Sequence, residues 1–174
     1  MKRIIGVAIL MSLIILVSQN SVAQTLKFGH INSDELIQAL PEFDSANVKL
    51  EKFRKDLINA LELMQVELNN KSDAYQKELK NYTDIVRQTK EQELTDMNRR
   101  IQEFQSTAQQ QLQEKQGELF QPIMAKVDKA IKDVGKENGF VYIFSIGQGS
   151  SLLYFDESKS TNVMPLAKAK LGLK

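Results

Sequence analysis

Asn81-Tyr82-Thr83-Asp84 breaks a stripe of apolar side chains that otherwise runs through residues 45–138. Before the break the stripe reads Leu50, Phe53, Leu57, Leu61, Met64, Leu68, Tyr75, Leu79 and Tyr82. After it come Leu94, Met97, Ile101, Phe104, Ala108, Leu112, Leu119, Ile123, Val127, Ile131 and Val134. Steps of three and four are the seam of coiled-coil helices. The Glu, Lys, Gln and Leu that fill the interval are strong helix formers. How the break is read decides the fold. One straight helix over residues 45–138 would extend ~140 Å and would need another chain to cover its stripe. Two antiparallel helices joined near residues 82–89 cover each other, and Thr89-Lys90-Glu91-Gln92 offers the second one a capping box. The hairpin is therefore expected, with arms of ~55 Å or more. Gln121-Pro122 falls inside the second arm, where a missing hydrogen bond and a ring clash predict a kink.

The flanks differ in pattern. Residues 24–44 open with the strand-like Leu26-Lys27-Phe28-Gly29-His30-Ile31, and Asn32 or Ser33 can cap a short helix through Leu40, stopped at Pro41. Asn138-Gly139 ends the long helical region with a left-handed cap. Phe140 to Ile146 is β-branched and aromatic, hence a buried strand. Gly147-Gln148-Gly149-Ser150 then reads as a turn, Ser151 to Phe155 as the returning strand, residues 156–162 as a polar loop, and Val163 to Leu171 as a terminal helix.

The start of the chain carries a targeting pattern. Lys2 and Arg3 precede an apolar run from Ile4 to Val17, followed by the small-residue site Ser21-Val22-Ala23. This is a secretory signal with cleavage expected after Ala23. The alternative, an uncleaved anchor, is disfavoured because the run falls short of the ~20 residues that span a bilayer. Cleavage removes Lys2 and Arg3 and takes the net charge from +1 to −1. With 23 basic against 22 acidic residues, the chain has no bulk charge for nucleic acid.

There is no cysteine and one histidine, His30. Disulfides, thiolate metal sites and a Cys nucleophile are excluded, and little remains for acid–base chemistry near neutral pH. No nucleophile–base pair or metal-ligand cluster can be assembled. The expectation is a protein with no catalytic residue, no metal and no cofactor. Gly147-Gln148-Gly149 lacks the third glycine of a phosphate loop, since position 152 is Leu, and a strand rather than a helix is expected after it. His30 reads as an ordinary strand residue. Seven glutamines between Gln102 and Gln116 read as a solvated helix face, because the apolar stripe continues through them.

Residues 24–44 and 139–174 together make 57 residues, marginal for an independent core. Their three expected strands are too apolar for one solvated face, and an open sheet leaves unpaired edges. The sequence thus points to a body closed by copies of the chain, with Phe28, Ile31, Val141, Tyr142, Ile143, Phe144, Leu152 and Tyr154 as candidate contacts. At the expected tip, Tyr75, Leu79, Tyr82, Ile85 and Val86 can close the hairpin by packing, or present a contact patch. Around them Lys77, Lys80, Arg87 and Lys90 outnumber Glu78 and Asp84, a local charge of +2.

The order of parts resembles a known family. A signal segment, the strand Lys27-Phe28-Gly29-His30-Ile31-Asn32 and a long helical hairpin come first. Then follow Lys136-Glu137-Asn138-Gly139-Phe140-Val141-Tyr142-Ile143-Phe144, a second apolar strand and the closing Val163-Met164-Pro165-Leu166-Ala167-Lys168-Ala169-Lys170-Leu171-Gly172. Over its whole mature length the chain is similar to the Skp (OmpH-like) family of periplasmic chaperones. The resemblance implies an α+β fold: a long antiparallel helical hairpin on a small β body completed by trimerisation. It further implies a homotrimer that holds unfolded outer-membrane proteins in a cavity between three arms, without ATP. In one respect the sequence departs. Better-known members are strongly basic at their tips, whereas this chain has a tip charge of only +2, enough for weak contact with a membrane surface. Apolar and amide contacts are expected to carry more of client binding, with Tyr75, Leu79, Tyr82, Ile85 and Val86 as client-binding residues. The competing reading is a structural coiled-coil spacer or adaptor of the envelope, whose apolar stripe would be consumed entirely by helix packing.

Overall fold

The structure is a computed structural model and describes residues 26–173; the expected signal segment and its cleavage site lie outside them. Strand β1 (Lys27–Ile31) leads into the short helix α1 (Ser33–Gln38), and Pro41–Glu78 and Asp84–Glu137 form the long helices α2 and α3. Strand β2 (Phe140–Ser145), strand β3 (Ser160–Asn162) and helix α4 (Met164–Lys170) complete the fold. Asn32 is the cap of α1, its side chain accepting from the Glu35 amide at 3.2 Å. Pro41 ends that segment and also starts α2 as its first-turn proline, where no amide donor is needed.

Helices α2 and α3 form the expected antiparallel hairpin. They contain 38 and 54 residues, ~57 and ~81 Å at the usual rise. A 3₁₀ turn at Leu79–Asn81 reverses the chain. The second helix starts earlier than its capping box predicts. Thr83 accepts from the Val86 amide at 3.4 Å and is the N-cap, while the Thr89 hydroxyl donates to the Ile85 carbonyl inside the helix. A threonine sharing a carbonyl of the preceding turn is compatible with helix interior, so the earlier cap prevails. Helix α3 passes through Pro122 without ending, giving up the one bond that proline cannot donate. Near the base Lys126 bonds Glu42 at 2.6 Å, and Phe43 meets Phe120 edge-on at 5.6 Å. Among the described residues no helix is long and apolar enough to cross a membrane.

The sheet has the order β2-β1-β3, and both outer strands run parallel to β1. This corrects the expected hairpin. Residues 151–155 are not a strand, and the third strand is the polar Ser160–Asn162. Parallel pairing requires the chain to return from the far end of β2 before re-entering the sheet. Residues 146–159 are spent on that return, so the apolar run lies in the crossover. Gly139, at φ 68°, supplies the left-handed turn into β2. Gly29 is needed for closeness: a Cβ there would lie 2.9 Å from Val163 Cγ1.

One sheet face packs on helices. Ile31, Leu36, Leu40, Val127 and Val163 are at most 2% exposed and share a cluster with Ala46, Ile123 and Val134. The root of the hairpin thus supplies core residues that a ledger of the 57 flanking residues alone leaves out. At ~25 cal/mol per Å² of apolar surface, this shared burial stabilises the body.

Candidate functional site

The other sheet face is aromatic and open. Register places Phe28 beside Tyr142 and His30 beside Phe144. Phe28 and Tyr142 stack at 6.2 Å, and Tyr142 and Phe144 at 5.9 Å. Tyr142 is 59% exposed and Tyr154 79%, with Val141 and Phe144 also exposed. Leu152 is half-buried, whereas Ile31 is buried in the chain's own core and Ile143 packs against it. Of the eight candidate contacts, Phe28, Tyr142 and Phe144 share the outer sheet face, Ile31 and Ile143 belong to the inner core, Val141 sits at the register shift of β2, and Leu152 and Tyr154 lie in the crossover. His30 is buried, with Nδ1 2.9 Å from the Ser160 hydroxyl and its ring 4.7 Å from that of Phe155. The Gly147-Gln148-Gly149 turn is fastened from within, the Gln148 amide donating to Asp34 at 2.9 Å.

At the tip the structure separates the five candidate residues. Tyr75 is buried and its ring lies 6.0 Å from that of Tyr82. Its hydroxyl donates to Glu91 Oε1 across the hairpin at 2.6 Å. That bond to a carboxylate holds the Tyr75 phenol above its ordinary pKa. Leu79, Val86 and above all Ile85, 75% exposed, face outward. Packing and exposure thus coexist: two tyrosines close the tip and three aliphatic residues remain available. Sequence reading missed Glu91 as a tip residue because its role depends on the register of the hairpin. Arg87 pairs with Asp84 at 2.8 Å and Lys90 with Glu93 at 3.0 Å, so two of the four local cations are already neutralised. Lys90 in turn lowers the pKa of Glu93 by donating to it.

Between root and tip the arms pack loosely. Helix α2 buries only Ala46 and Tyr75, and α3 buries no residue between Ile101 and Ile123. An opening of about 360 Å³ lies there, lined by Leu57, Leu61, Phe104, Ala108 and Leu112 with Ile58 at its edge. Gln105, Gln109 and Arg54 border it. Arg54 is bound to Glu51 through two bonds of 3.0 Å, which lower the Glu51 pKa and raise that of Arg54. The stripe that defines the hairpin is therefore only half consumed by it.

No curated protein matches the chain. The family model described as Outer membrane protein (OmpH-like) matches residues 27–171. That span holds the central strand, both arms, the outer strands and the terminal helix. The protein belongs to the OmpH-like outer membrane protein family.

Proposed function

We propose that this protein is an ATP-independent periplasmic holdase that keeps unfolded outer-membrane proteins from aggregating. Members of the OmpH-like family are periplasmic chaperones of outer-membrane proteins, not enzymes, which supports the reading at family level. The observation that carries it is the unconsumed apolar surface of the arms: the half-buried mid-arm stripe together with exposed Leu79, Ile85 and Val86. A spacer would spend that stripe on its own packing, so the same observation weighs against the structural alternative.

The mechanism follows from surface chemistry. An unfolded barrel strand cannot bury its apolar face in water, and its backbone groups lack strand partners. Many weak apolar contacts hold such a chain without selecting a sequence. In the proposed assembly, residues 24–44 and 139–174 of three copies form the body, closed through the aromatic sheet face, and residues 45–138 form three arms around the client. Release needs no chemical step, only a competing site at which the client folds. Native mass determination after diluting a urea-unfolded outer-membrane barrel protein into this protein tests the reading. The expected species holds three copies and one client; free client beside free protein contradicts it.

A further inference from the structure

We infer that the mid-arm opening between α2 and α3 is a docking cleft for single uncharged apolar side chains of an extended client segment. This rests on the proposed holdase function and assigns it a site within one arm. The hairpin is fastened at both ends, by Glu42–Lys126 and Phe43–Phe120 at the root and by Tyr75–Glu91 at the tip. Along the arms no side chain is buried between Ile101 and Ile123 on α3 or between Ala46 and Tyr75 on α2. Ala108 stands in the seam between the larger Phe104 and Leu112, and all three line the opening. About 360 Å³ lies at the low end of the ~300–1,000 Å³ typical of sites for small apolar groups.

The border identifies the occupant. Leu57, Leu61, Phe104 and Leu112 offer no polar partner, so a charged group would enter among them without compensation. The one cation at the border, Arg54, is already satisfied by Glu51 in a two-bond contact, so no free charge recruits an anionic head group. Gln105 and Gln109 supply neutral amides, each able to donate and accept. That combination matches an extended peptide: an aliphatic or aromatic side chain in the cleft and its unpaired backbone N–H and C=O against the amides. Neither a fatty-acid carboxylate nor a basic segment finds its charge answered there.

The test fills the cleft. Ala108→Leu places three more carbon atoms in the opening, and Ile58→Gln changes a residue at its exposed edge without touching the core. Affinity for a urea-unfolded outer-membrane barrel protein is measured for both variants and for the unaltered protein, beside assembly mass and thermal midpoint. Removal of one buried side chain's worth of contact is expected to weaken binding about tenfold in Ala108→Leu, with mass unchanged and the midpoint equal or higher. Ile58→Gln is expected to weaken binding in the same direction. Unchanged affinity in both variants overturns the cleft while leaving the holdase reading intact. A change in assembly mass with unchanged affinity also overturns it, assigning the opening to a contact between copies. If the unaltered protein itself fails to bind the client, the holdase reading falls, and the cleft with it.

Discussion

Tyr75 on α2 donates its hydroxyl to Glu91 on α3 at 2.6 Å, joining the two arms just below the turn. The pair lies among residues that otherwise meet water, with the Tyr82 ring tilted against that of the tyrosine at 6.0 Å. It sets the register of the distal hairpin together with Glu42 opposite Lys126 at the root.

Tyr75→Phe keeps the ring and removes the bond. Amide hydrogen exchange at residues 75–95 is expected to accelerate, because the tip opens locally, while the root stays protected. The global thermal midpoint should shift by no more than about 2 °C, since small local losses in a larger fold move it little. The phenol pKa is raised in the folded state, so its contribution is present below the ordinary value of about 10 and fades as pH rises through the folded value. Exchange that is unchanged at the tip, or faster throughout the chain, would show that the bond does not act as a local fastening.

In the proposed trimer, the aromatic sheet face would separate assembly from folding. Tyr142 is largely exposed in the single chain, whereas Ile143 packs against its core. Tyr142→Asp is therefore expected to dissociate the assembly while helical circular dichroism is retained. Ile143→Asp is expected to unfold the body, since an unpaired buried charge costs several kcal/mol. Sedimentation equilibrium at micromolar concentration reads the first effect and thermal unfolding the second. A trimeric Tyr142→Asp protein would place the interface elsewhere.

At the tip, apolar contact is expected to outweigh charge. Ile85 and Val86 are exposed, while Arg87 and Lys90 are held in local ion pairs. Replacing Ile85 and Val86 together by Ser should weaken client affinity severalfold, since exposed apolar area is worth ~25 cal/mol per Å² when covered. Reversing Lys77 and Arg87 to Glu should do less. Raising salt to about 0.5 M, where the Debye length is roughly 4 Å, should not release the client. Loss of binding on charge reversal, or release by salt alone, would establish an electrostatic mechanism instead.

What the sequence made legible followed from interactions near in the chain. Leu57, Leu61, Phe104 and Leu112 repeat at helical spacing, and the break at residues 81–84 announces a reversal. Asn32 and Gly139 occupy the cap positions that their side chains, or lack of one, favour. The misreadings are nonlocal. Residues 151–155 have strong strand propensity, yet the parallel sheet leaves them in a crossover. Ser160–Asn162 has no strand pattern and is extended because its backbone completes the edge of β1. The choice between Thr83 and Thr89 as helix cap depended on where the turn closed, and thus on contacts between arms. For the same reason the apolar character of the tip could be read from residue types, but not the burial of Tyr75 or its bond to Glu91.

The most direct test of the holdase function is light scattering from a urea-unfolded outer-membrane barrel protein diluted into buffer free of nucleotide. With this protein present at one trimer equivalent per client, scattering is expected to stay near baseline, and added ATP to change nothing. Scattering that rises as fast as in the client alone would contradict the function proposed for these arms.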